Sequence, residues 1–217
     1  MVLNTINLYM IQKYNYWTFN KALTDRTCNH IIEYGKRFKS TYGTIGGLEQ
    51  PDKLSKKQVN FLKDKRKSDV AWMDDTWIYK EIHPYVDAAN KKAGWNFQWD
   101  ASESCQFTKY NKGQYYGWHS DSWQEPYNKP NNPRQHKKIR KLSVTCQLSD
   151  ASEYTGGDLE FRILDDATGK TKDFLCIEAK EKGSMIVFPS YVVHRVTPVK
   201  SGTRYSLVIW NLGYPFI

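Results

Sequence analysis

From Gly94 onward the chain becomes a series of short segments in which polar and apolar residues alternate: SESCQFTKY, KLSVTCQL, GDLEFRI, KDFLCIEA, SMIVFP, VVHRV and TRYSLVIWNL. Glycines, prolines and charged turns separate them. Successive side chains of a strand point to opposite faces, so this period-two texture predicts an antiparallel barrel or sandwich. Before Gly94 the texture is helical. Cys28, Ile31, Ile32 and Phe38 recur at helical spacing over residues 25–38, with Thr24 placed as an N-cap. From Thr76 to Ala93, Trp77, Ile78, Ile82, Tyr85, Val86 and Ala89 make one face, Gly94 is the stop, and Pro84 is a kink or a division. Helices first and strands later predict a mainly β protein with helices packed on one face of its core.

The 217 residues suit one domain with a real core. There is no run of eighteen apolar residues, so no membrane span is expected, and the opening MVLNTINLYMIQKYNYW is too polar for a signal-peptide core. Cys28, Cys105, Cys146 and Cys176 are too widely spaced for a zinc-finger pattern and read as buried reduced thiols, so the expected compartment is the cytoplasm. The net charge of +9 permits a nucleic-acid partner without demanding one. Much of the excess sits in Lys53, Lys56, Lys57, Lys63, Lys65, Arg66 and Lys67, which read as a solvated face, since no aromatic stacking motif is interleaved with them. No feature specifies an oligomer.

The stretch YYGWHSDSW, residues 115–123, concentrates the chemistry. An H-x-D pair alone is weak: with five histidines in the chain, about 0.3 such pairs arise by chance. In an extended segment, however, His119 and Asp121 share a face and can chelate one ion. Of the other histidines, His30 and His83 fall in expected helices and read as ordinary, and His136 sits among Arg134, Lys137 and Lys138, which oppose a cation. His194 lies 75 residues beyond His119 in the apolar run SMIVFPSYVVHRVTPV, where a polar ring needs a reason to be buried. Two imidazoles and a carboxylate leave three positions open on a metal, a set suited to non-haem Fe(II). Arg204 follows His194 by ten residues across TPVKSG, read as a hairpin turn that returns the chain beside the strand of His194. Arg204, Ser206, Val208 and Trp210 then share one strand face, on which a guanidinium and a hydroxyl can grip a carboxylate; the competing reading of Arg204 is a surface ion pair. Gln106, Thr108 and Tyr110 likewise form a polar face, with Tyr110 either a donor to a ligand carboxylate or a buried aromatic paired locally. Residues 122–140, SWQEPYNKPNNPRQHKKIR, read as a long irregular loop.

Taken in order, YNKGQYYGWHSD, GGDLEF and KGSMIVFPSYVVHRVTPVKSGTRYSLVIW resemble the 2-oxoglutarate- and Fe(II)-dependent oxygenases of the prolyl-4-hydroxylase-like group, over roughly residues 100 to 212. RKSDVAWMDDTWIYKEIHPYVDAAN looks like the helical lead-in of related microbial and phage sequences. The resemblance implies a double-stranded β-helix (jelly-roll, cupin-like) core over about 99–214, a helical lead-in over about 1–98, and a lid at 122–140, all within one domain spanning 1–217. It implies Fe(II) on His119, Asp121 and His194. It implies 2-oxoglutarate as cosubstrate, its far carboxylate held by Arg204 with Tyr110 and Ser206 and its pocket walled by Trp210. It implies O2 as the oxidant and ascorbate as an accessory reductant. Tyr116, Trp118, Trp123, Tyr127 and Arg134 would border the substrate. The implied activity is hydroxylation of a C–H bond, with succinate and carbon dioxide as coproducts, on a peptidyl proline or another protein residue. A free amino acid or small metabolite is the alternative. Oxidative nucleic-acid demethylases share the plan but usually carry a second arginine six residues after the first, where this chain has Trp210. A jelly roll that binds a metal or ligand without catalysis is the reading furthest from these residues.

Overall fold

The computed structural model describes residues 14–44, 55, 57, 61, 64–123, 125–165 and 168–216. Lys53, Lys56 and Lys63 of the basic segment and residues 1–13 of the polar N-terminus lie outside that set. The first half contributes β1 (Trp17–Phe19), α1 (Asp25–Gly35), β2 (Thr41–Tyr42), β3 (Arg66–Lys67), β4 (Asp69–Met73) and α2 (Thr76–Lys92). Then come β5 (Ala101–Ser102), β6 (Cys105–Tyr110), β7 (Tyr115–His119), β8 (Ile139–Gln147), β9 (Tyr154–Gly156), β10 (Leu159–Asp165) and β11 (Lys170–Leu175). The chain closes with β12 (Met185–Pro189), β13 (Val193–Val196), β14 (Val199–Gly202) and β15 (Arg204–Gly213).

Helix α1 begins as expected, with the Thr24 hydroxyl accepting from the Thr27 N–H. It ends at Gly35 rather than Phe38, because the N–H groups of Arg37 and Phe38 donate to the carbonyls of Tyr34 and Gly35 and tighten the last turn. Helix α2 runs unbroken through Pro84. Pro84 and Lys80 are both exposed, so the carbonyl deprived of its donor faces water. Gly94, at φ 74°, ends the helix in the left-handed region. Among the described residues no helix is long and apolar enough to cross a membrane.

The strands form two facing antiparallel sheets, a jelly roll, and a small two-stranded sheet of β14 and β9. The major sheet runs β1-β12-β8-β15-β6-β4-β2, with β5 also beside β15, and the minor sheet runs β11-β10-β13-β7-β3. Alternation gives the major sheet two unlike faces. Phe107, Val144, Cys146, Leu207 and Ile209 pack with Cys28, Ile31, Ile78, Ile82 and Val86 of the two helices. On the opposite face Ile186 and Phe188 of β12 meet Leu159 and Phe161 of β10, closing the sandwich at one end. All four cysteines are free and buried.

Three expectations change. The lead-in is not only helical: β1, β2 and β4 extend the major sheet and β3 the minor one. KDFLCIEA is a strand only to Leu175 and then makes a 3-10 turn at Ile177–Lys180. TPVKSG is not a hairpin that returns beside His194. Its Val199–Gly202 portion pairs with β9, and β15 then joins the major sheet between β8 and β6. The chain changes sheets there because Val199 is buried and Gly202, at φ 72°, packs against the Glu153 carbonyl where a side chain would collide. Ile82→Ala, which empties a fully buried position under the major sheet, is expected to lower the unfolding free energy in urea by about 2–5 kcal/mol.

Candidate metal centre

Strand β13 pairs with β7 so that His194 lies directly opposite His119, with ring centroids 4.2 Å apart. Each Nδ1 is within hydrogen-bond distance of the carbonyl two residues earlier: His119 with Gly117 at 2.8 Å, and His194 with Val192 at 2.9 Å. A carbonyl only accepts, so each Nδ1 carries the proton and each Nε2 keeps its lone pair for a metal. Asp121 follows β7 by two residues and is 5% exposed. Its Oδ1 is 3.6 Å from His119 Nε2, and its Oδ2 is 3.6 Å from His194 Nε2. One ligand atom from each of the three residues falls within 4.8 Å of the others, so a single ion could be held by all three.

Burial pushes the Asp121 carboxyl up, but His194, His119 and Arg140 outweigh it and hold it well below the usual carboxylate range. Burial lowers His194 to about 4, with His119 adding and Asp121 opposing. The carboxylate is therefore charged and His194 neutral at pH 7, the states in which both ligate. Asp121 Oδ2 also accepts from Ser143 Oγ at 2.7 Å, and Ser143 Oγ lies 2.9 Å from Ser190 Oγ.

Across the sandwich, the inward faces of β6, β15 and β8 stand in rows: Tyr110 beside Arg204, Thr108 beside Ser206 beside Gln147, and Trp210 beside Ser143. Arg204 is 2% exposed. Its Nε donates to Gln147 Oε1 at 3.0 Å, its Nη1 to Ser206 Oγ at 3.5 Å, and it lies 5.6 Å from the Tyr110 ring centroid. Among the described residues no carboxylate lies within ion-pair distance of it. Asp158, which it does influence, is engaged by Lys180 at 2.6 Å. A buried cation without an anion is costly, so this position fits an incoming carboxylate. Trp210 is not beside Arg204: two inward positions, Ser206 and Val208, lie between them, roughly 20 Å of strand in all, and Trp210 stands near the ligand trio instead.

His119 and Asp121 border a cleft of about 830 Å³. Tyr116, Trp118, Trp123, Tyr127 and Trp210 line it, together with Trp72. Tyr116 lies flat on His119, centroids 3.5 Å apart, and burial pushes its phenol up to about 12. Trp118 sits at the rim, clamped between the guanidiniums of Arg162 and Arg195 at 4.2 and 4.5 Å. Arg140 stacks 3.7 Å from the Trp210 ring and 5.0 Å from Trp123, and Glu103 receives two 2.7 Å hydrogen bonds from it. The Tyr127 hydroxyl donates to the same carboxylate at 2.8 Å. These contacts hold the start of the 122–140 loop against the cleft, and Tyr127 and Lys138 are joined through their backbones. Arg134 is not brought here. It borders a separate cavity of about 1040 Å³ beside Tyr79, His83 and Asp100. Arg66 is not part of a solvated face either: it is 3% exposed and lies over Tyr116 at 4.4 Å.

Sequence reasoning missed Ser143, Gln147 and Ser190, and the Glu103–Arg140 pair. The first two had a signal, since Ser143, Thr145 and Gln147 alternate through KLSVTCQL in the way that Gln106, Thr108 and Tyr110 do. Glu103 and Arg140 had none, being 37 residues apart in unrelated segments.

Residues 105–211 match the model of the 2OG-Fe(II) oxygenase superfamily. A PKHD-type hydroxylase of Synechococcus sp. (strain CC9605) is 37% identical over 102 residues, 47% of this chain and 38% of the relative. A PKHD-type hydroxylase of Bordetella pertussis is 31% identical over 105 residues, 48% of this chain and 41% of the relative. The chain thus spans about two fifths of the length of the curated relatives it matches. The viral collagen prolyl hydroxylase of Paramecium Bursaria Chlorella virus-1, solved as a 2OG complex, superposes with a TM-score of 0.60 at 18% identity, covering 93% of this chain and 97% of that one. A Trichoplax adhaerens prolyl hydroxylase, solved with a hypoxia inducible factor oxygen degradation domain peptide fragment, gives a TM-score of 0.59 at 15% identity, covering 92% of this chain and 84% of that one. At such identities the superpositions speak for the fold. The family's cofactors are Fe(II), 2-oxoglutarate and O2, and two imidazoles with free Nε2 atoms, one carboxylate and a buried arginine with no carboxylate partner among the described residues fit that set. Residues 105–211 of this chain form a domain of the 2OG-Fe(II) oxygenase superfamily.

Proposed function

We propose that the chain is a dioxygenase that hydroxylates a C–H bond, of a peptidyl proline or another protein residue, while 2-oxoglutarate is converted to succinate and carbon dioxide. The observation that carries this reading is the pairing of a three-ligand cluster, His119, Asp121 and His194, with a buried arginine that has no carboxylate partner among the described residues. His119 and His194 would hold Fe(II) through Nε2 and Asp121 through a carboxylate oxygen. Arg204 would take the far carboxylate of 2-oxoglutarate, with Ser206 and Tyr110 beside it. The bound iron would activate O2 at the expense of 2-oxoglutarate. The protein keeps the site's charges poised: it holds Asp121 ionised, fixes both imidazole tautomers and excludes water with Tyr116, Trp123 and Trp210.

A protein substrate is favoured by the cleft itself. Trp72 and Trp123 are 46% and 39% exposed along it, with Trp210 and Tyr127 between and beside them, a row of flat apolar surfaces that suits an extended chain. The names of the relatives agree with this, since the Trichoplax adhaerens enzyme was solved with a peptide fragment. The 122–140 loop would act as the lid. Four free thiols support a reducing, cytoplasmic location.

Succinate release measured across a peptide panel with Fe(II) and ascorbate, followed by mass spectrometry for the gain of one oxygen, tests the whole reading. Turnover with a free amino acid and with no peptide would replace the protein substrate by a small one. His119→Ala is expected to abolish 2-oxoglutarate turnover in the succinate assay. Arg204→Ala is expected to raise the KM for 2-oxoglutarate about 10- to 100-fold, the loss of a charge-assisted contact. Trp123→Ala is expected to raise the KM for the peptide while leaving peptide-independent 2-oxoglutarate turnover unchanged.

A further inference from the structure

Asp121 has two oxygens and both face a histidine: Oδ1 is 3.6 Å from His119 Nε2, and Oδ2 is 3.6 Å from His194 Nε2. Nothing in those two distances decides whether the carboxylate offers a metal one oxygen or both. The residues behind it do. Ser143 Oγ is 2.7 Å from Oδ2, and an ionised carboxylate can only accept, so the single Ser143 hydroxyl proton is committed to it. Ser190 Oγ, 2.9 Å from Ser143 Oγ, must then donate to Ser143. The order is fixed: Ser190 to Ser143 to Asp121.

Both serines are fully buried, and the buried Phe188 is the cross-strand neighbour of Ser143. A buried hydroxyl pair in such a setting is costly unless each member has a partner. The same Ser190 also holds the backbone, its carbonyl accepting from the N–H groups of Asp121 and Ser122 at 2.8 and 2.9 Å. Cross-strand pairing of Ser143 with Phe188 and with Trp210 keeps the relay in register.

We propose that Ser190 and Ser143 form a two-hydroxyl relay that ties up Asp121 Oδ2 and makes Asp121 a one-oxygen ligand, which sets the number of open positions on the bound metal. The proposal rests on His119, Asp121 and His194 holding that metal. Two nitrogens and one oxygen leave three positions of an octahedron free; a second carboxylate oxygen would occupy one of them. Ser143 is thus a positioning residue, acting through Asp121.

The test uses the full chain loaded with Mn(II), whose bound exchangeable waters are counted by water-proton relaxation, a readout independent of turnover. Ser143→Ala is expected to let Oδ2 reach the metal and lower the relaxivity of the Mn(II) complex by about a third, one water of three. Ser143→Thr, which keeps the hydroxyl, is expected to hold the wild-type value, and Ser190→Ala to move in the direction of Ser143→Ala by a smaller amount. An unchanged relaxivity in folded, metal-loaded Ser143→Ala overturns the relay while leaving the ligand assignment standing. Failure of the wild-type chain to bind Mn(II) overturns both. If Ser143→Ala does not fold, Ser190→Ala decides, and no change there overturns the relay.

Discussion

The site depends on one strand pairing. His119 and His194 are 75 residues apart in the chain, and only the antiparallel ladder between β7 and β13 makes them neighbours. Shifting that ladder by a single residue would turn one histidine to the opposite face of the sheet and dismantle the cluster. The ladder is itself irregular, with a register shift between His194 and Val196, so that Tyr116 and His119 both face inward although three residues separate them. That irregularity is what stacks Tyr116 on His119 and sends Trp118 outward between Arg162 and Arg195.

The major sheet solves a different problem, that of carrying a polar interior and an apolar underside at once. Its helix-facing residues, among them Phe107, Leu207 and Ile209, supply burial against α1 and α2. This leaves the inward face free to hold Arg204, Ser206, Gln147 and Ser143, groups that cost stability unless they are paired or occupied. The Glu103–Arg140 pair shows the same balance at the cleft. Its charges are nearly buried, yet two hydrogen bonds, a tyrosine hydroxyl and two indole faces satisfy it.

Much of this was legible in the residues. Period two marked the strands, and the helical spacing of Ile78, Ile82 and Val86 marked the buried face of α2. The shared faces of His119 with Asp121 and of Arg204 with Ser206 followed from counting along strands, and His194 stood out as a polar ring in an apolar run. Sheet membership was not legible. TPVKSG has the composition of a tight turn, and only the burial of Val199 and its pairing with β9 carry the chain across to the other sheet. Long-range side-chain pairs such as Glu103 with Arg140 leave no local trace. Trp210 shared a face with Arg204 on paper, but a strand face is long, and sharing one says nothing about reach. Arg134 failed for a related reason: a loop's composition does not tell which cavity each of its residues borders.

The two halves of the candidate site ride on different sheets, with the histidines on the minor one and Arg204 on the major one. Their separation is a property of the sandwich, and the rings that fill it act as spacers. Phe161 on β10 meets Phe188 on β12 edge to face, centroids 5.1 Å apart, and Phe188 lies 4.7 Å from the His194 ring. Phe161 is also the cross-strand partner of His194, with ring centroids 6.2 Å apart, so its size sets the gap between the histidine end of the candidate site and the opposite sheet, and with it the length of a molecule that could bridge the two.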